Sequence, residues 1–142
     1  MFNGSLLVTF SIRQPHQGAL RLVRRTLTQH GLRAPIELDV ALRIKQELGA
    51  GVAPCTILYV DNPALLLEGI VSHRGAALGI PQPVVVSGND LHTEVFIHGA
   101  NSHAMRDFPV TIDRPFVELQ AKIIEAMETI AEREGAPIVA NY

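Results

Sequence analysis

Residues 84–98 of the chain are VVVSGNDLHTEVFIH, and this stretch decides the fold. Its two ends are rich in β-branched residues, whereas the connection at 87–90 consists of Ser, Gly, Asn and Asp, which favour tight turns. The pattern predicts a β-hairpin with strands over 84–86 and 91–98. Strands joined by so short a connection run antiparallel, so an antiparallel sheet is expected.

Other segments complete the fold on both sides of this hairpin. Residues 5–12 alternate between apolar and other side chains, which predicts a strand with one buried face. Residues 55–61, CTILYVD, predict a central strand, and the following Asn62-Pro63 is typical of a helix N-terminus. Apolar spacing predicts the remaining elements, which are helices over 14–30, 40–48, 63–71 and 115–134 and a short strand over 34–38.

The order of these elements predicts an α+β fold. We expect a mainly antiparallel sheet of four to five strands, with the helices over 14–30, 63–71 and 115–134 packed on one face. A dinucleotide-binding α/β fold is disfavoured, because no glycine-rich fingerprint lies between a strand and a helix. The 142 residues are predicted to form a single domain over 1–142.

The composition argues against several classes of protein. The 12 Lys and Arg residues are balanced by 14 Asp and Glu, so the chain lacks the basic surface of a protein held by nucleic-acid phosphates. The only cysteine, Cys55, excludes an internal disulfide and a multi-thiolate metal site. No apolar stretch approaches the roughly 20 residues of a membrane helix, and no targeting segment is recognisable. We therefore expect a cytoplasmic protein without membrane or nucleic-acid partners.

Several local motifs occur in an order that resembles a known family. They are His30-Gly31-Leu32, Ile36–Val40, Ala53-Pro54 before the strand over 57–60, Asn62-Pro63-Ala64, and Leu78–Pro81 before Val84–Val86. From about residue 5 to 130, the chain resembles the bacterial and archaeal family known as domain of unknown function 302.

The resemblance implies a fold and leaves the activity open. Members of this family are small α+β domains in which a curved antiparallel sheet is backed by helices, and they often pair, so a homodimer is expected. Many relatives carry cysteines just before the Asn-Pro and just after the Leu-Pro elements. This chain has VDNP at 60–63 and IPQP at 80–83, without cysteine, so a thiol-redox or metal role is not implied.

The strand over 91–98 carries the side chains that are best suited to chemistry. Alternation groups Leu91, Thr93, Val95 and Ile97 on the side of the helices, and on the other side His92, Glu94, Phe96 and His98. The strand over 55–61 offers a comparable row of Cys55, Ile57, Tyr59 and Asp61. If both rows share one face, then His, Glu, Tyr, Asp and Cys side chains converge there.

Three interpretations of this face stay open. It is the solvated side of a sheet buried on one side, a dimer interface, or a ligand site. A metal site is disfavoured, because His92 and His98 would lie about 20 Å apart along a strand, whereas zinc–imidazole bonds are about 2 Å long. We expect no metal and no cofactor.

The first function hypothesis is a small-molecule-binding protein or a His-dependent acid–base enzyme of the lyase or isomerase type. Its site would lie between the polar sheet face and a polar loop predicted over 99–113, since such loops often bind ligands. His98 and His103 would carry protons, with Glu94 orienting an imidazole. The ligand-binding residues would be Arg106, whose planar guanidinium holds a carboxylate, together with His92, Phe96, Tyr59 and Asp61.

The second hypothesis is a non-catalytic dimeric interaction module that uses the same sheet face. Phe96 and Tyr59 favour it, because aromatic residues are enriched at interfaces. Cys55 is predicted to be a structural residue, since buried cysteines usually act as small hydrophobes.

Overall fold

The computed structural model of the protein describes residues 7–99, 110–134 and 138–141. In this part of the chain the strands are β1 Leu7–Ile12, β2 Arg33–Asp39, β3 Cys55–Asp61, β4 Gln82–Gly88, β5 Thr93–His98 and β6 Ile138–Asn141. The helices are α1 His16–Gln29, α2 Val40–Leu48, α3 Pro63–Ser72 and α4 Val110–Glu134, with a 3-10 turn at Arg74–Leu78.

These strands form one sheet in the order β2-β3-β4-β5-β1-β6. Every neighbouring pair is antiparallel, so the α+β fold class is confirmed. The described sheet has six strands and exceeds the expected four to five. The reason is that β6 is only four residues long, too short to show an alternating pattern in the sequence.

The strand β2 forms one edge of the described sheet. Its register against β3 shifts between Arg33 and Ile36, a stretch that contains Pro35. The edge is tied to α1 by Arg24, whose Nε and Nη2 both donate to the carboxylate of Glu37. This ion pair is partly exposed, so its role is to position β2 more than to stabilise the fold.

The core lies between the sheet and the helices. The helices α1 and α4 pack against each other, and they contact β4 and β1 respectively. The strands contribute their buried alternate residues, among them Phe10, Ile12, Leu58, Val84, Val86, Val95 and Ile97. The helices contribute Leu20, Val23, Leu27, Phe116, Leu119, Ile123, Met127 and Ile130. The apolar stripes predicted for both helices are therefore confirmed.

The hairpin between β4 and β5 is confirmed, but β5 begins two residues later than expected. The Asn89 side chain accepts hydrogen bonds from the backbone N–H groups of Leu91 and His92, at 2.9 and 3.0 Å, and so extends the turn. Leu91 is consequently 81% exposed and does not face the helices, contrary to the sequence prediction. Gly88 is required at the start of the turn, because a Cβ there would lie 2.3 Å from the carbonyl oxygen of His92.

The helix ends show which local signals were informative. Gly31 follows α1 with φ of 75°, the left-handed conformation in which glycine commonly ends a helix. The helix α4 begins at Val110, five residues before the predicted start, and continues through Pro115. The sequence pattern predicted that the helix starts at Pro115, because proline lacks the backbone N–H that continues a helix. None of the helices in the described ranges is both long and apolar enough to cross a bilayer.

The N-terminus of α3 is fixed by Asn62. Its Oδ1 accepts from the N–H groups of Ala64 and Leu65 at 3.0 and 3.1 Å. Its Nδ2 donates to the carbonyl of Gly31 at 3.2 Å and so ties α3 to the end of α1. One side chain thus caps a helix and connects two elements.

We expect Asn62→Ala to lower the free energy of unfolding by about 1–2 kcal/mol, because the cap is lost. Asn62→Asp keeps the acceptor and loses only the bond to Gly31, so it should cost less. Urea unfolding followed by circular dichroism measures both changes. Equal losses for the two variants would show that the cap contributes nothing.

Candidate functional site

The strand β5 presents its side chains alternately to the core and away from it. Thr93, Val95 and Ile97 are buried, whereas Glu94, Phe96 and His98 are half-buried and point away from α1 and α4. The predicted alternation is confirmed for 93–98. His92 is not part of it, because it lies exposed in the turn before the strand.

The face of the sheet that points away from α1 and α4 has an apolar centre. Phe96 is paired with Val85 of β4, and Val85 with Ile57 of β3. We call this surface the outer sheet face and define it by Ile57, Tyr59, Val85, Glu94, Phe96 and His98. The titratable side chains expected to converge on this face are separated, because the apolar row of Ile57, Val85 and Phe96 lies between Glu94 on one side and Tyr59 and His98 on the other.

The two titratable residues of β5 lie at opposite ends of the outer sheet face. Glu94 is opposite Ser87 of β4 and Ser11 of β1, whereas His98 is opposite Leu7. Four residues along a strand correspond to about 13 Å. Glu94 therefore cannot orient the imidazole of His98 within one chain.

Tyr59 and Asp61 have different surroundings. Tyr59 is half-buried and paired with Pro83, so it belongs to the outer sheet face. Asp61 is buried and paired in register with Arg33. Burial raises the pKa of the Asp61 carboxyl, and the positive charge of Arg33 partly offsets this. His103 and Arg106, the remaining predicted site residues, lie outside the described residues.

His98 lies beside a shallow depression of about 120 Å³, which is lined by Leu7, Pro83, Val85, Phe96, Ile97 and His98. Desolvation in this half-buried position lowers the pKa of the His98 imidazole. The neutral imidazole that results is a potential proton acceptor.

Gln120 of α4 holds the backbone at the end of β5. Its Nε2 donates to the carbonyls of His98 and Gly99, at 2.9 and 2.6 Å. The sequence analysis missed this residue. The signal available was a polar residue next to Leu119 and near Phe116 on the apolar stripe of α4.

The helix α2 borders an apolar groove of about 330 Å³. We call it the α2 groove, lined by Leu38, Val40, Arg43, Ile44, Glu47 and Leu48. Although α2 is amphipathic, none of its residues is buried. Arg43 and Glu47 lie at the rim as an exposed ion pair, in which Nη1 of Arg43 is 3.9 Å from Oε1 of Glu47.

A second opening, of about 360 Å³, lies between the start of α1 and α2. We call it the α1–α2 cleft. It is lined by His16, Gln17, Asp39, Ala41, Leu42, Lys45, Gly51, Val52, Pro54 and Cys55. Cys55 is half-buried and lines the cleft, and the structural role expected for it stays a prediction. This cleft was not predicted from the sequence, because His16 and Cys55 are far apart along the chain.

The part of the chain that the structure describes contains no group of three His, Cys, Asp or Glu side chains placed to hold a metal ion.

Comparison with known proteins gives a family and a fold. The model of the family described as domain of unknown function DUF302 matches residues 8–133. The chain is similar to the crystal structure of an uncharacterized conserved protein DUF302 from Bacillus stearothermophilus, with a TM-score of 0.75 and 14% identity. The match covers 87% of this chain and 96% of that chain, and at this identity it concerns the fold alone. No curated protein sequence matches significantly.

The pKa of His98 leads to a prediction about stability. The unfolded chain binds a proton at this histidine near pH 6.5, whereas the native chain binds it only at lower pH. We therefore expect the free energy of unfolding to decrease as the pH falls below about 6.5, and less steeply in His98→Gln. Urea unfolding at several pH values measures this. His92→Gln, in the exposed turn, is the control, and its free energy of unfolding should change with pH as it does in the wild type. If His98→Gln also left this pH dependence unaltered, the prediction would be contradicted.

Proposed function

The chain belongs to the DUF302 family, and we propose that it works as a homodimeric interaction module. In this proposal the second copy covers the α2 groove and the adjoining part of the outer sheet face. The two surfaces are continuous, because Leu38 lines the groove and is paired in register with Ile57.

One observation carries this proposal: exposed apolar side chains are concentrated around α2. Of the ten large hydrophobic residues that are exposed in the described part of the chain, five fall between residues 36 and 52, and two of these, Leu42 and Val52, line the α1–α2 cleft instead of the α2 groove. Ile36, Leu38 and Leu48, with exposures of 59%, 37% and 78%, lie on β2 or in the α2 groove. A contiguous apolar surface of this kind is typical of a protein–protein interface.

The charges at the rim of the α2 groove favour a second copy over an unrelated partner. Arg43 and Glu47 lie one turn apart on α2. In a dimer whose twofold axis is perpendicular to α2, the two copies of the helix run antiparallel, and Arg43 of each copy lies near Glu47 of the other. The same rim is thus complementary to itself in charge.

We expect the protein to be a dimer of twice 15.5 kDa at micromolar concentration. Leu48→Glu should raise the dimer dissociation constant at least about thirtyfold, since it removes about 2 kcal/mol of apolar burial and introduces a charge. Light scattering coupled to size exclusion measures both masses.

Leu91→Glu is the matched control, because Leu91 is equally exposed but lies in the β4–β5 turn. It should remain dimeric, and circular dichroism should show both variants folded. A monomeric wild type, or equal dissociation of the two variants, would contradict the proposal. Exchange of the rim charges in the double variant Arg43→Glu, Glu47→Arg should leave the dimer intact, whereas Arg43→Glu alone should weaken it.

The half-buried His98 favours a second candidate function, a ligand-binding or acid–base site between the outer sheet face and the segment over 99–113. Its neutral imidazole beside Phe96 is suited to accept a proton from a small organic substrate. His103 and Arg106 would complete this site. The chain has a single cysteine and therefore no internal disulfide, as is usual for cytoplasmic proteins.

Thermal-shift screening against small organic acids and cofactors tests this second candidate. A ligand that stabilises the wild type should fail to stabilise the double variant His98→Ala, His103→Ala. Unchanged stabilisation of the double variant would exclude a site at these histidines.

A further inference from the structure

We infer that the α1–α2 cleft binds a small organic acid through its carboxylate, with the apolar part of the ligand against Leu42 and Val52. The cleft is independent of the proposed dimer surface, because Leu42 and Lys45 lie on the opposite side of α2 from the α2 groove. Its volume of about 360 Å³ is within the range of small-molecule sites.

Lys45 provides the positive charge in the cleft. Its ammonium group is exposed and has no ion-pair partner among the described residues. The start of α1 lies opposite, where Pro15 is the N-cap and the first turn contains no acidic residue. The positive end of the α1 dipole is therefore not neutralised by its own first turn, and it adds to the attraction for an anion.

Asp39 is the acidic residue of the cleft, and it has a structural task. Its Oδ1 accepts a hydrogen bond from the N–H of Leu42 at 2.9 Å and caps the N-terminus of α2. The partial positive charge at that helix end offsets part of the carboxylate charge. Lys45, more than one turn further along α2, remains available for a ligand.

His16 offers a second polar contact. It is only 8% exposed although it lines the cleft. Its Nε2 lies 3.3 Å from Oγ1 of Thr56, whereas Nδ1 has no hydrogen bond within the described residues. A buried polar atom without a partner is unfavourable, so a ligand oxygen at Nδ1 would remove that cost.

The remaining lining favours an organic over an inorganic anion. Leu42 and Val52 are half-exposed, with exposures of 49% and 50%, and Pro54 adjoins them. Apolar walls with a few convergent polar groups are typical of sites for organic ligands. The carboxylate would thus contact Lys45 and His16, and the apolar body would cover the two aliphatic side chains.

Cys55 allows a direct test, because it is the only cysteine of the chain and lines the cleft. We would measure its rate of alkylation by iodoacetamide at constant ionic strength, with benzoate as the probe. At ten times its dissociation constant, benzoate should slow alkylation about tenfold. Benzamide, which has the same ring without the charge, and inorganic phosphate, which has charge without an apolar body, should protect much less.

Lys45→Met should weaken the protection by benzoate about tenfold, since a charge-assisted contact is removed. Lys122→Met, the same change on α4, is the control, and benzoate should protect Cys55 in this variant as well as it does in the wild type. Equal protection by benzamide or by phosphate would overturn the inference, as would protection that Lys45→Met leaves unchanged or the absence of any protection by benzoate. Because Leu48→Glu leaves the cleft intact, benzoate should protect that variant too, whether or not it dimerises.

Discussion

Burial on one face of the antiparallel sheet is the constraint on which the rest of the structure depends. Val84, Val86 and Val95 are fully buried beneath the helices, so their neighbours along the strands must point away. A slip of one residue in β5 would bring Glu94 and His98 into the core, where unpaired charges are very unfavourable. The register is therefore fixed by the core. The apolar residues of the outer sheet face are not needed for that purpose, and in the proposed dimer the second copy covers part of them.

Much of the fold could be predicted because its signals are local. The hairpin at 84–98, the cap at Asn62 and the apolar stripes of α1 and α4 each depend on residues close together in the sequence. The predicted boundaries were wrong where a side chain or a tertiary contact decided the outcome. Asn89 extends the turn by binding two backbone N–H groups, and that is visible only in three dimensions. The strand β6 is too short to recognise without its partner β1.

The candidate sites were harder to predict, because they depend on which distant segments become neighbours. Alternation correctly separated the two sides of β5, but it could not show that Val85 and Ile57 continue the row from Phe96. The predicted polar face is therefore largely apolar at its centre. The α1–α2 cleft brings together His16 and Cys55 from segments with no common motif. The amphipathic pattern of α2 predicted a helix, yet gave no indication that the described part of the chain leaves its apolar side exposed.

The irregular register of β2 affects how molecules of this protein can meet. A regular edge strand offers an unbroken ladder of backbone donors and acceptors, and other chains can add to it without limit. Here the shift between Arg33 and Ile36, with Pro35 inside it, interrupts that ladder. Edge-to-edge growth at β2 is thus disfavoured, whereas the dimer proposed above depends on contacts between side chains. Such contacts would close after two copies, so the irregular strand would protect this edge against open-ended polymerisation while the apolar surface remains available.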